Sequence, residues 1–155
     1  MKVEIDDGGY MPIRAYPTDA GLDLYSREDI TIKGYGGSAI FNTGVHIELP
    51  PNTYGKIESK SGLNTEYGIV SCGGVIDEGY TGSIKVKLYN FGPNSFHVVP
   101  GMKIAQLIIQ PCLYEPVEIG EINKNTERGD NGFGSTGGYE PSMFGNGDLW
   151  GEDIG

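Results

Sequence analysis

Between residues 39 and 49 the chain alternates, with Ala39, Phe41, Thr43, Val45, Ile47 and Leu49 on one side and Asn42, Gly44, His46 and Glu48 on the other. A period of two belongs to a strand with one face in a core, so the pattern predicts a single strand across 39–49. Residues 83–90 repeat it, with Ile84, Val86 and Leu88 facing in and Lys85, Lys87 and Tyr89 facing out. Shorter runs predict strands at 29–33, 53–58, 67–71, 96–99, 103–110 and 114–119. Pro50-Pro51, Gly73-Gly74, Pro93-Asn94 and Pro100-Gly101 mark the turns between them. Helical periodicity is nearly absent; one short turn is predicted over 62–66, with Ser59 or Ser61 as its N-cap. Many short strands at regular spacing predict an all-β barrel or jelly roll. From Glu127 onward the chain becomes too glycine-rich to hold itself in a sheet, and it reads as a mobile arm that orders on a ligand.

Composition narrows the function. The 155 residues are about one domain's worth, and 26 glycines fit a turn-dense β protein, with ten tyrosines adding bulk to the core. Burial is lean enough that oligomer interfaces are expected to complete it. A net charge of -10 argues against a nucleic-acid binder, which needs a basic face to release counterions from phosphates. Any phosphorylated ligand must therefore meet local cations or a metal. Cys72 and Cys112 have no metal-ligand spacing and read as core or interface thiols in a reducing compartment. No apolar stretch has the length of a signal peptide or a membrane helix. The expectation is a soluble, cytoplasmic protein (host cytoplasm if the source is viral) with no membrane partner.

Five stretches are hard to explain as scaffold. Ala20-Gly21-Leu22-Asp23-Leu24 sets an acid between leucines at a strand start. Ser59-Lys60-Ser61-Gly62-Leu63 gathers hydroxyls and a cation at a helical turn, whose N–H groups suit an anion. Gly73-Gly74-Val75-Ile76-Asp77-Glu78-Gly79-Tyr80 is a glycine-hinged hairpin followed by an acid. Lys103-Ile104-Ala105-Gln106-Leu107-Ile108 carries one amide among apolar neighbours, and the glycine arm carries Arg128, Phe133, Ser135 and Thr136. Taken singly, Asp23 reads as a turn or cap residue, Gln106 as a solvent-facing strand residue and the arm as a linker.

Together and in order, from about residue 18 to 137, the five stretches resemble the trimeric dUTPases (dUTP pyrophosphatases). The most specific signatures are Gly-Val-Ile-Asp-x-x-Tyr-x-Gly at 74–82 and Arg-Gly-x-x-Gly-Phe-Gly-Ser-Thr-Gly at 128–137. The resemblance implies a jelly-roll-like β-barrel over 1–127, a flexible glycine-rich arm over 128–137, and a homotrimer with active sites shared between subunits. It implies hydrolysis of dUTP to dUMP and pyrophosphate by in-line attack of water on the α-phosphorus, assisted by Mg²⁺. By the family pattern Asp77 activates the water and meets the sugar 3′-hydroxyl, and Gln106 fixes the water. Asp23 holds the waters around a triphosphate-bound Mg²⁺, an outer-sphere role suited to an ion that dehydrates reluctantly. Lys60, Ser61 and Gly62 cradle the α- and β-phosphates, Arg128, Ser135 and Thr136 close on the γ-phosphate, and Gly134 completes that arm. The hairpin from Ser71 through Gly74 and Val75 to Ile76 presents backbone groups to the uracil edge. Tyr80 packs on the deoxyribose, Phe133 covers the base, and Lys85 adds charge near the phosphates.

The second stretch departs from the family's usual Pro-Arg-Ser-Gly. Lysine supplies a point charge where arginine supplies a planar fork, so either the phosphate grip differs in geometry or the site is rebuilt around lysine with Glu58 as its partner. The dCTP deaminases share the barrel but need a glutamate at the amine, so the Val-Ile-Asp run favours the triphosphatase. A nucleotide-sensing protein would not be expected to keep Asp77, Gln106 and Arg128 together. Residues 138–155, with Met143, Phe144, Leu149 and Trp150 among acids, read as a disordered acidic tail or a short docking segment.

Overall fold

A computed structural model describes residues 1–131. It is mostly β with one short helix, and it divides into two compact units, Met1–Glu115 and the chain from Pro116 onward. The first unit holds β1 (Lys2–Ile5), β2 (Gly21–Tyr25), β3 (Ile30–Ile32), β4 (Gly37–Asn42), β5 (Val45–Glu48), β6 (Thr53–Glu58), α1 (Ser61–Tyr67), β7 (Ile69–Cys72), β8 (Val75–Ile76), β9 (Lys85–Asn90), β10 (Phe96–Val98) and β11 (Lys103–Pro111). All pairings are antiparallel, in ladders β1-β5, β10-β3, β2-β11-β6-β8 and β4-β9-β7. Among the described residues none of these ladders closes on itself, and no helix is long and apolar enough to cross a membrane.

The predicted strand over 39–49 is two strands. Gly44 turns the chain with φ +71°, and the Thr43 hydroxyl donates to Ile84 O (2.8 Å) while accepting from Val45 N–H (3.2 Å). β4 then pairs with β9 and β5 with β1. The inward set survives the break, because Phe41, Thr43, Val45, Ile47 and Leu49 are all buried. Ile84, Val86 and Leu88 are buried as their alternation predicts, and they join Leu24, Ile32, Ile69, Ile104 and Leu107 in one core. Asn90, fully buried, keeps its amide satisfied by donating to Ile32 O (3.0 Å) and Asn94 O (2.8 Å) and accepting from Gly92 N–H (3.0 Å).

Other expectations shift or fail for local reasons. Neither serine caps α1: Lys60 is the N-cap residue without a side-chain cap, and the Ser59 hydroxyl is turned to Ser71. The helix runs to Tyr67 and ends at left-handed Gly68 (φ 68°), so β7 starts at Ile69 rather than 67. No strand forms over 114–119. Val117 and Ile119 are fully exposed and no other strand pairs with them, and an unpaired strand leaves its backbone groups without partners. Cys72 is exposed and Cys112 half-buried, both free, so Cys72 is not a core thiol.

Candidate active site

The ladder β2-β11-β6 sets Asp23, Gln106 and Glu58 side by side in one row. Residues directly opposite share a face, and their neighbours Leu22, Leu107 and Ile57 fill the core on the other face. Asp23 is therefore neither a turn nor a cap residue. It lies inside β2, 4% exposed, with its N–H bonded to Ile13 O (2.8 Å). Its carboxylate holds two ammonium groups, Lys60 on Oδ1 and Lys103 on Oδ2 (2.7 Å). Burial alone would push the Asp23 carboxyl up, but the hydrogen bonds and charges of Lys103 and Lys60 hold it below the usual carboxylate value. The same pairing raises Lys103.

Gln106 donates from Nε2 to Ser59 O (3.0 Å). Its amide lies against Gly21, two residues before Asp23, where any Cβ would collide with it. The glycine of the first stretch is thus the seat for the amide of the fourth. Ser59 ties the second stretch to β7, the strand that leads into the third, since its Oγ accepts from Ser71 N–H (2.9 Å) and meets Ser71 Oγ at 3.1 Å. From the sequence Ser59 was only a cap candidate and Lys103 only the first residue of the amide stretch, with no site role for either. The basic residue beside the amide stretch and the second hydroxyl beside Lys60 were the available signals. Glu58 is not the partner of Lys60; it pairs with Lys56.

The hairpin is only partly free to read a base. Ser71 N–H is already bound to Ser59, and Gly74 O accepts from Ile57 N–H (2.8 Å). Cys72, Gly73 and Val75 are its exposed residues, while Ile76 is buried. Tyr80, 42% exposed, donates its hydroxyl to Ser83 O (3.1 Å) and rests on Gly82, where a Cβ would meet Tyr80 Oη at 2.5 Å. Lys85 is exposed at the start of β9, and Ser61 and Gly62 are exposed at the start of α1.

Asp77 is exposed and stands elsewhere. β8 pairs with β6 at Gly55 and Lys56, so Asp77 follows beside Tyr54, four residues along β6 from the Gln106 row. That separation is about 13 Å along the strand and about 10 Å across two ladder spacings. Both groups cannot hold one water, which requires each within about 3 Å. Asp77 instead borders an open cavity of about 780 Å³ lined also by Tyr54, Glu78, Cys112 and Tyr114. Glu78 fixes this end, accepting from Asn52 N–H (2.9 Å) and the Tyr114 hydroxyl (2.8 Å). The Tyr114 pKa is pushed up to about 12, first by that hydrogen bond and then by desolvation, because a phenolate beside a carboxylate is disfavoured.

Magnesium was expected at Asp23. The donor set does not fit that role as it stands, because each carboxylate oxygen already accepts from an ammonium and the group is nearly covered. Among the described residues no group of three or more His, Cys, Asp or Glu is placed to hold a metal. In the second unit Arg128 is exposed, with Nε donating to Asn131 O (3.2 Å). Phe133, Gly134, Ser135 and Thr136, and the tail with Trp150, lie outside the described residues.

Comparison with known proteins adds four findings. The family model for dUTPase matches residues 8–137. The deoxyuridine 5′-triphosphate nucleotidohydrolase of Clostridium kluyveri is 47% identical over 137 residues, 86% of this chain and 94% of that one. Among solved structures, the Staphylococcus bacteriophage 80alpha dUTPase with dUpNHpp is 27% identical at a TM-score of 0.78, covering 86% of this chain and 96% of that one. The dUTPase of phage phi11 of S. aureus, described with a structural Mg(II) ion, matches in fold at 23% identity and a TM-score of 0.72, covering 79% and 97%.

Proposed function

The chain belongs to the dUTPase family, and we propose that it hydrolyses dUTP to dUMP and pyrophosphate at sites assembled between copies of itself. The observation that carries the shared site is the distance between Asp77 and Gln106, which lie at opposite ends of β6 in one chain. A closed trimer with a three-fold axis brings the Asp77 end of one copy to the Gln106 row of another, and completes burial that one lean chain leaves undone. A jelly-roll-like barrel over 1–127, extended by the arm at 128–137, is the form this reading takes.

In that site the Asp77 carboxylate takes a proton from water as the water attacks the α-phosphorus, and Gln106 orients the water through its amide. Lys60, Ser61 and Gly62 receive the α- and β-phosphates, with Lys85 adding charge. Arg128, Ser135 and Thr136 close on the γ-phosphate and Phe133, with Gly134, covers the base. The exposed edge of the hairpin meets uracil, and buried donors and acceptors left unpaired by cytosine reject it. Tyr80, held on Gly82 by its bond to Ser83, stands against the deoxyribose and leaves no room for a 2′-hydroxyl. These steps use only the chain's own groups.

Two measurements test the reading. Pyrophosphate release with dUTP, dTTP, dCTP and UTP side by side should be confined to dUTP. Inactive Asp77→Asn and Gln106→Ala proteins, mixed, unfolded and refolded together, should regain roughly a quarter of parental activity, the share of sites that draw both native residues from different copies. No recovery would place both residues in one chain's site and overturn the shared arrangement.

A further inference from the structure

Lys103 reaches Asp23 only because β11 carries an irregularity. From Gln106↔Asp23 and Ala105↔Leu24, an even register would put Ile104 opposite Tyr25 and Lys103 opposite Ser26. Ser26 is buried and lies on the same face as Leu24, so Lys103 would point into the core. Instead the register shifts between Lys103 and Ala105, and Lys103 pairs with Tyr25. One extra residue in a strand moves the side chains beyond it to the other face, and such bulges re-aim side chains beside functional sites. The bulge sends Lys103 to the face of Asp23 and Gln106.

The result is a pair of ammonium groups on one buried anion. The Asp23 side chain is 6% exposed, while those of Lys60 and Lys103 are 29% and 46% exposed. The carboxylate lies beneath and the cations face solvent. Two hydrogen bonds and the width of one carboxylate keep the two nitrogens within about 8 Å of each other, close enough for one polyphosphate to meet both. The cluster carries a local charge of +1 on a chain of -10, in the row that also holds Gln106.

We infer that Lys103 is a phosphate-binding residue of this site, and that Asp23 is the positioning residue that holds Lys103 and Lys60 together rather than a carrier of metal-bound water. The inference rests on the triphosphate reading of the site given above. It follows from the donor geometry, since a nearly buried carboxylate with an ammonium on each oxygen orients those two cations, while its burial and their charges oppose the approach of a hydrated metal ion.

The test uses the full-length protein, with dUpNHpp binding by calorimetry in EDTA and turnover of dUTP at saturating Mg²⁺. Lys103→Met keeps the aliphatic stem and removes the charge. It should weaken dUpNHpp binding in EDTA and raise KM for dUTP by about tenfold or more, the scale of a lost charge-assisted hydrogen bond, with kcat within about twofold. Binding of deoxyuridine, which has no phosphate, should be unchanged, and Lys103→Arg should restore most of the loss. Asp23→Asn should also raise KM and leave the half-saturating Mg²⁺ concentration where it was. Unaltered dUpNHpp affinity in Lys103→Met, or a change confined to its melting temperature, would overturn the assignment of Lys103. A raised Mg²⁺ requirement in Asp23→Asn with unaltered KM at saturating Mg²⁺ would overturn that of Asp23. A parent protein inactive on dUTP would sink the functional reading itself, which separates the two failures.

Discussion

Replacing Gly74 by alanine probes the hairpin on which base recognition rests. Gly74 has φ +121°, and a Cβ there would sit 2.6 Å from Ile57 Cβ and 3.2 Å from its Cγ1. Backbone in this glycine-favoured region costs an L-residue about 1–3 kcal/mol. Overlap with Ile57, itself 6% exposed and unable to withdraw, adds about 1–3 kcal/mol. The chain has an escape, because β8 is held to β6 by only two residue pairs and can peel away. Peeling breaks the Ile57 N–H to Gly74 O bond, about 1 kcal/mol, and exposes Ile76, about 2 kcal/mol. The cheaper route sets the cost at about 3 kcal/mol. A thermal melt should therefore fall by roughly 6–12 °C while staying cooperative. KM for dUTP should rise by about tenfold or more, since a peeled hairpin no longer presents its edge. A melt within about 1 °C of the parent together with unaltered KM would refute both the strain and the role of the hairpin.

Asp77→Asn should cut kcat by at least about 10²-fold while calorimetric affinity for dUpNHpp changes little, as expected for a lost general base; near-full turnover would remove Asp77 from that role. His46 carries the clearest pH dependence: its Nδ1 meets Thr81 O (2.8 Å) and its Nε2 meets Asp6 Oδ1 (3.2 Å), and Asp6 also pairs with Arg27 (3.2 Å). Its pKa is raised, first by the Thr81 carbonyl, then, against desolvation, by Asp6 and Glu4. The contribution to stability is therefore full below the unfolded value of about 6.5 and is lost as pH rises through the higher folded value; urea melts of the parent and of His46→Gln at several pH values should converge above that window, and a constant difference would refute the link. Deleting residues 128–155 should leave the melt of the Met1–Glu115 unit and the oligomer size by gel filtration unchanged while turnover falls sharply; loss of folding would make that segment structural.

Sequence alone determined where the chain is extended and which side of it is apolar. Alternation named Phe41, Val45, Ile47, Ile84, Val86 and Leu88 as core, and all are buried, because a period of two is a property of the backbone and needs no knowledge of partners. It also brought together the five stretches that mark the family, since recognition by motif depends on order and residue type. Pairing was beyond its reach. The absence of a strand over 114–119 depends on which strand lies alongside, a long-range fact with no local trace, whereas the split at Gly44 and the start of β7 after Gly68 each follow from a glycine in the left-handed region whose conformation the alternation did not reveal. The same holds for the site. Asp23 was legible as an acid between leucines, but only the β2-β11 register, with its irregularity at Lys103, decided that two lysines would meet on it. Asp77 and Gln106 were both legible as candidates, while their separation along β6 was set by the ladder. A sequence specifies side chains one at a time, and hydrogen-bonded register decides which of them share a face, a row and a charge.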